Sequence, residues 1–451
     1  MKKQMQFLKS KRAKGVVAAV LAVALALGAT ACKSQTGGTT SGTVSVDTKI
    51  TGPVTIDFWH AMTGAQAAEL KQLASDFMAQ NKNVTVNLVA QGGYTDLQQK
   101  LMAAAKAHTS PAMAQAYEDW ETDYIQNNLI TDLTPYKDNK TVGLSSTSYN
   151  DFVKVFRDSN TWNGKLYSLP FNKSTEILFY NTDYFNQFGL SAPKTWDDLT
   201  NDAKKLTTTI NGRKVIGVGF ENSLGMVDFP SFLQQAGGTF VDDSTGKVKF
   251  NSTEGKTALS YLNDLFQSSE ARMANEDQYI SNVFTRGDVA MAFGSCAGMS
   301  FIASGAKGKF NWATAPLPKG KKSAVPFMGT NLVVFSSVSS QQKLAAWEFI
   351  KYLTDKDQTI QWAEKTGYVP VRTSALNDST WKSFVQQNPV YSAAVDQFGA
   401  GYFLTRLNGS DNANNKLTTD IQTVMLGKAS VNDGLKTAAD NYQKALDDAK
   451  S

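Results

Sequence analysis

The chain has 451 residues, with 45 Lys and Arg against 40 Asp and Glu, for a formal net charge of +5. Its basic excess is local: Lys2, Lys3, Lys9, Lys11, Arg12 and Lys14 precede an apolar run, Gly15 to Leu27, that is too short to span a bilayer well. Without those six residues the charge becomes −1, which removes the main support for a nucleic-acid partner.

Small residues Gly28-Ala29-Thr30-Ala31 then precede Cys32. The pattern predicts a lipoprotein signal peptide over 1–31, although Ala29 stands where a lipobox usually has Leu. A plain signal peptide with an incidental Cys is the alternative. Lipid on Cys32, palmitate included, would hold the exported protein at the outer face of the cell membrane. Residues 32–49, rich in Ser, Thr and Gly, read as a flexible tether. Cys296 is then the single internal thiol, so no intramolecular disulfide is expected. Stability must come from packing, and the length calls for two lobes.

Val54 to Trp59 alternates as a half-buried strand, and apolar positions in 65–80 recur at helical spacing. Val84 to Val89 is a second strand, and Thr95 starts a helix through Ala107. This rhythm predicts an α/β fold with a mainly parallel sheet, whose ligand-bearing loops lie past the strand ends. Tyr94 and Glu118 fall in such loops. Leu169 to Asn181 has an apolar entry with Pro170, a polar run Asn172-Lys173-Ser174-Thr175-Glu176, and an apolar exit. It reads as a chain crossing between lobes at Pro170-Phe171, with polar side chains facing a cleft; an ordinary kinked strand is the alternative. Further on, Thr195 caps a helix with acids at its start, Val215 to Phe220 is a strand, and Ser252 to Gln267 is an amphipathic helix. Val289 to Phe293 is a buried strand leading into Gly294-Ser295-Cys296-Ala297-Gly298. Ala315 to Gly320 reads as a second crossing, Gly367 to Val371 as a third extended piece, and Leu332 to Phe335 as a strand after Gly329.

Catalytic chemistry is weakly supported. His60 and His108 are the only histidines, and no zinc-ligand spacing exists, so no metal or other cofactor is expected. Gly-x-Cys-x-Gly after a strand suits a nucleophile elbow, but a thiolate needs a base and no local signal supplies one. A surface hydrolase using Cys296 is therefore the rival reading, and a lipid-anchored adhesin a third. The preferred reading of 294–298 is a turn whose backbone N–H groups approach a ligand oxygen or anion; small residues chosen for packing are the alternative. The adjacent acids Glu118/Asp119 and Asp242/Asp243 point apart on a helix and read mainly as caps and solvated faces. Tyr94, Tyr117, Trp120, Trp196 and Tyr368 sit at element ends beside polar residues. With Ser174, Ser295 and Glu118 they sketch a site for a hydroxylated solute.

These residues also carry a likeness. Phe58-Trp59-His60-Ala61-Met62, Gly93-Tyr94, Tyr117-Glu118, Pro170 to Thr175, Leu178 to Asn181, Lys194-Thr195-Trp196, Gly287 to Met291 and Lys365 to Pro370 resemble the family 1 extracellular solute-binding proteins of ABC importers. Within that family the chain is most similar to the binders of sn-glycerol-3-phosphate and glycerophosphodiesters. The resemblance implies a two-lobed periplasmic-binding-protein-like fold, type II and maltose-binding-protein-like, with a multi-strand hinge. The expected lobes are 50–170 with 318–355, and 171–317 with 356–451. It further implies a monomer without catalytic activity that hands a small solute to ABC permease transmembrane subunits. Solute contacts are expected at Tyr94, Glu118, Ser174, Trp196, Ser295, Gly329 and Tyr368. The Arg that meets phosphate in the glycerophosphate binders is matched here near Asn414, with Arg406 or Lys173 as substitutes. An amide cannot replace a guanidinium fork at a phosphate, so a neutral oligosaccharide is the alternative solute. Lipid-anchored export suggests a Gram-positive surface.

Overall fold

In a computed structural model, residues 45–450 are described. The expected leader, Cys32 and most of the tether lie outside them. The elements that build the site are nine strands and ten helices. The strands are β1 (Val54–His60), β2 (Val84–Ala90), β3 (Met113–Ala116), β4 (Ser168–Asn181), β5 (Arg213–Phe220), β6 (Ala271–Met273), β7 (Val289–Ser295), β8 (Trp312–Ala315) and β9 (Val325–Val334). The helices are α1 (Gly64–Gln80), α2 (Tyr94–Lys106), α3 (Glu118–Gln126), α4 (Trp196–Leu206), α5 (Asp228–Gln235), α6 (Thr253–Gln267), α7 (Ser340–Leu353), α8 (Lys356–Thr366), α9 (Ser410–Met425) and α10 (Val431–Asp448). Among the described residues no helix is long and apolar enough to cross a membrane.

Local chemistry sets the helix starts. Thr195 Oγ1 accepts from the Asp198 N–H at 3.1 Å and Asp198 Oδ2 accepts from the Thr195 N–H at 3.0 Å, a reciprocal cap for α4. Ser252 Oγ accepts from the Gly255 N–H at 3.2 Å and starts α6.

One sheet runs through the described residues in the order β6-β5-β7-β4-β9-β3-β1-β2, with β8 also beside β4. Its two outer groups are parallel, as expected: β1 with β2 and β3, and β5 with β6 and β7. Its centre is not. β4 is antiparallel to β7, β8 and β9, and β9 is antiparallel to β3. Periodicity reports which face of a strand is buried but not its direction, so the mainly parallel expectation fails at the centre.

The long strand β4 joins the two groups. Residues from Ser168 to Thr175 pair with β9, and Glu176 to Tyr180 pair with β7. Pairing between β4 and β9 shifts register at Phe171, where a bulge follows Pro170. The exchange of partners comes later than the Pro170-Phe171 crossing expected from sequence, between Thr175 and Glu176. Of Ala315–Gly320, Ala315 ends β8 and pairs with Leu178 of β4, and Lys319 bridges Thr195; the long partner of β4 over residues 168 to 175 is β9. The Gly367–Val371 expectation holds as an extended piece bridging Val369 to Lys173.

Successive residues of β4 face opposite sides. Ile177 and Phe179 enter a core with Phe58, Phe77, Phe349 and Trp347, while Leu178 enters a second core with Val218, Phe232, Leu259 and Tyr442. Between these apolar ends, Asn172, Lys173, Ser174, Thr175 and Glu176 are all buried, none more than 2% exposed. Gly329 lies opposite Lys173 with φ +92°, and a Cβ built there would meet Asn172 O at 1.9 Å. The backbones therefore approach as closely as only glycine permits. Gly329→Ala is expected to destabilise the protein by roughly 2 kcal/mol or more, read as a lower urea midpoint with unchanged slope; a midpoint equal to wild type would refute the close-approach account.

Candidate functional site

The tyrosines expected from sequence come together. Tyr94, at the start of α2, and Tyr368 have hydroxyl oxygens 3.2 Å apart. Tyr117 packs edge-on against Tyr94 at 5.1 Å and against Trp120 at 5.0 Å. Burial raises the pKa of the Tyr94 and Tyr368 hydroxyls, so both stay neutral.

A chain of amides fixes Tyr94. Asn172 Nδ2–H donates to Tyr94 Oη at 3.0 Å, Gln115 Nε2–H donates to Asn172 Oδ1 at 2.9 Å, and the Ala61 N–H donates to Gln115 Oε1 at 2.9 Å. Sequence reasoning missed Gln115. It sits in β3 within an apolar tetrapeptide, Met-Ala-Gln-Ala, and a lone amide inside such a strand was the available signal.

Glu118 and Gly329 are joined through a residue of β4. Lys173 Nζ donates to Glu118 Oε1 at 2.6 Å and to Gly329 O at 3.0 Å, and lies 5.1 Å from the Phe403 ring centre. Lys173 is 0% exposed. Glu118 also accepts from Ser159 Oγ at 3.2 Å and opens α3, whose N-terminal end favours a negative charge. Carboxylate, ammonium and carbonyl thus neutralise and satisfy one another inside the protein.

Ser174 and Ser295 flank the exchange point of β4. Ser295 is opposite Glu176 in the ladder. Its Oγ accepts from the Ala297 N–H at 3.2 Å, so one backbone donor expected to face a ligand is used locally. The structure does not bring Trp196 into the tyrosine group. Its indole donates to Gln235 Oε1 at 2.6 Å, stacks on Tyr261 at 4.7 Å and lies beside Gly320. Cys296 is fully buried and burial pushes its thiol up to about 12, which withdraws the thiolate that a nucleophile requires.

A model of the bacterial extracellular solute-binding proteins matches residues 72–390. The chain belongs to that family. The sn-glycerol-3-phosphate-binding periplasmic protein UgpB of Escherichia coli K12 is 26% identical over 419 residues, covering 87% of this chain and 92% of that protein. UgpB of Mycobacterium tuberculosis, solved with glycerophosphocholine, superposes with a TM-score of 0.79 at 24% identity, over 89% of this chain and 100% of that one. Lmo0181 of Listeria monocytogenes, solved with cycloalternan, gives 0.78 at 18% identity, over 88% and 99%. The fold is the two-lobed, maltose-binding-protein-like architecture.

In this solute-binding protein the positions considered for a phosphate-binding cation are occupied otherwise. Asn414 Nδ2–H donates to Asp119 Oδ2 at 3.1 Å, and Asn414 Oδ1 accepts from Tyr442 Oη–H at 2.9 Å. Asp119 is therefore not on a solvated face, as adjacent acids had suggested. Burial and the nearby Asp411 push its carboxyl up to about 7. Arg406 donates to the carbonyls of Ser159 at 2.5 Å and Asp158 at 3.2 Å, with its guanidinium 4.5 Å from the Trp162 ring centre.

Two outcomes follow from these charges. Lys173→Met leaves Glu118 buried beside no ammonium and is expected to cost about 3–5 kcal/mol of stability, most of it recovered when Glu118→Gln is added; a single variant within about 1 kcal/mol of wild type would count against the pair. A carboxyl whose folded-state pKa is raised keeps its proton in the native state while the unfolded chain loses it, so stability falls as pH rises through that window. For Asp119 the window runs from about 4 to about 7. Buried Glu121, Glu176 and Asp228 are shifted in the same direction. The melting temperature should be higher at pH 5 than at pH 8, and Asp119→Asn should flatten part of the fall. A melting temperature rising from pH 5 to 8 would contradict these assignments.

Proposed function

We propose that the chain captures an uncharged, hydroxyl-rich solute, an oligosaccharide, and delivers it to the transmembrane subunits of an ABC permease. The solute lies between lobes 50–170 with 318–355, and 171–317 with 356–451, while lipid on Cys32 holds the receptor at the outer membrane face. Capture needs no catalysis: the solute favours a closed form by bonding to both lobes, and the closed form docks on the permease.

The observation that carries the solute class is the engagement of Lys173 and Arg406. Lys173 is spent on Glu118 and Gly329 O, Arg406 on two backbone carbonyls, and Asn414 stands beside Asp119. A phosphate brought to this group would meet carboxylates without a guanidinium fork. Neutral tyrosine hydroxyls, the Asn172 amide and aromatic faces suit sugar hydroxyls and C–H surfaces instead. The second reading, a glycerophosphodiester or glycerol-3-phosphate, is favoured by what the names of the E. coli and M. tuberculosis relatives say they bind.

A thermal-shift panel of glycerol-3-phosphate, glycerophosphocholine and oligosaccharides separates the two. A ligand at a hundred times its dissociation constant adds about 2.7 kcal/mol of stability. An oligosaccharide should raise the melting temperature and glycerol-3-phosphate should not. Tyr94→Phe with Tyr368→Phe should weaken binding at least tenfold. A shift with glycerol-3-phosphate alone would overturn the neutral reading in favour of the phosphate one.

A further inference from the structure

Between β6 and β7 the chain makes a strained turn at residues 275–280. Asn275 and Gln278 hold left-handed backbone, with φ +52° and +66°, although neither is glycine. The Tyr279 N–H donates to Asp277 O at 2.8 Å across Gln278, a γ-turn of the rare hand. Such a backbone costs free energy and persists only where its neighbours over-determine it.

Here they do. Asn222 Oδ1 accepts from the Asn275 N–H at 2.7 Å, and Asn222 Nδ2–H donates to Asn275 O at 2.8 Å. Arg286 holds Asp277 through both Nη atoms, at 2.8 and 2.9 Å. Glu221 Oε2 accepts from the Ile280 N–H at 3.0 Å. The Ile280 side chain fills the space over two glycines: a Cβ built on Gly219 would lie 2.4 Å from its Cδ1, and one on Gly294 3.6 Å from its Cγ2. Gly219 and Gly294 stand at the carboxyl ends of β5 and β7, so the turn is fixed there, beside Ser295.

What this rigid turn displays is Tyr279. Its side chain is 53% exposed, and among the described residues its ring stacks on no other aromatic and its hydroxyl makes no hydrogen bond. Protein nevertheless surrounds it closely enough for burial to raise its hydroxyl pKa, with Glu221 and Asp96 adding to the effect. A side chain open to solvent yet enclosed in this way lines a concavity. Asp96 belongs to α2, and the hydroxyls of Tyr94 and Tyr117 both feel Tyr279. An exposed aromatic needs no explanation by itself; one aimed by a strained and pinned turn does.

We propose that Tyr279 is a solute contact that offers its ring face to a sugar ring, opposite Tyr94 and Tyr117. This rests on the solute-binding reading above and adds a residue that sequence did not single out. Aromatic faces pack on the C–H surface of a sugar, and the hydroxyl at the ring edge can bond to a sugar hydroxyl. A turn fixed beforehand loses little freedom when solute arrives. Tyr279 belongs to the β5–β7 group of strands, and Tyr94 and Tyr117 to the β1–β3 group. A sugar held between them is touched from both groups, as closure around a solute requires.

The test titrates maltotriose and glycerophosphocholine calorimetrically into wild type, Tyr279→Phe and Tyr279→Ala, and melts the unliganded proteins alongside. Tyr279→Ala should melt with wild type, because the ring is half in solvent, and should weaken the maltotriose dissociation constant about tenfold. Tyr279→Phe keeps the ring face and should stay within about threefold. An Ala variant within twofold of wild type, or a Phe variant that loses as much as Ala, would overturn the contact. An Ala variant that melts clearly lower would mark the ring as packing and overturn it too. Wild type that binds glycerophosphocholine and not maltotriose refutes the oligosaccharide reading alone, and the same two variants against glycerophosphocholine then decide the contact. Wild type that binds neither probe overturns the reading and the contact together.

Discussion

Burying a run of polar side chains in one strand is the constraint on which the rest of the site depends. In β4 the backbone pairs with β9 up to Thr175 and with β7 from Glu176, and residues 172 to 176 have almost no contact with solvent. Each polar group must then find a partner inside the protein or leave its desolvation cost uncompensated. Gln115 sits in an otherwise apolar strand because Asn172 needs a donor. Glu118 and the Gly329 carbonyl converge because the Lys173 ammonium needs acceptors. Glycine stands at 329 because the Asn172 carbonyl comes too close to leave room for a side chain there.

That wiring also underlies the proposed solute class. An ammonium already bonded to a carboxylate and a carbonyl is a structural cation, and moving it to a ligand would strand Glu118 in the interior. Arg406 is held between carbonyls and Trp162 in the same way. Glu121, Asp119, Glu176 and Asp228 add little negative charge, because burial raises their carboxyls and favours the protonated form. Such a surface offers acceptors and neutral hydroxyls. The family therefore supplies the architecture, while the proposed solute class rests on how Lys173 and Arg406 are engaged here.

Much of this was legible in the sequence, for physical reasons that also mark the limits. Strand and helix positions followed from periodicity and caps: Thr195 caps a helix as expected, and the amphipathic run from Ser252 to Gln267 is helical. The polar break in β4 was visible as the centre of the molecule. Tyr94, Tyr368, Glu118 and Gly329 do converge, directly or through Lys173. The central antiparallel pairings were not legible, because direction depends on which distant strand arrives, not on local alternation. Nor was the environment of Trp196, an aromatic beside a helix cap that packs on Tyr261 and Phe232 as readily as on a ligand. Asp119 was misplaced because adjacency separates two acids on their own helix but says nothing of a second helix. Here α9 brings Asn414 against it.

The polar groups on the two sides of the point where β4 changes partners stand in different states. Tyr94 and Tyr368 bond to each other, and Asn172 bonds to Tyr94. On the proposed reading a solute hydroxyl entering there replaces one hydrogen bond with another, so each tyrosine hydroxyl contributes on the order of 1 kcal/mol. Past the change of partners Glu176 and Asp228 are fully buried, bonded to each other, and raised by burial. A carboxyl that keeps its proton can be housed in a dry interior without a cation, which is why this end of the polar run has no counterpart of the Lys173–Glu118 pair.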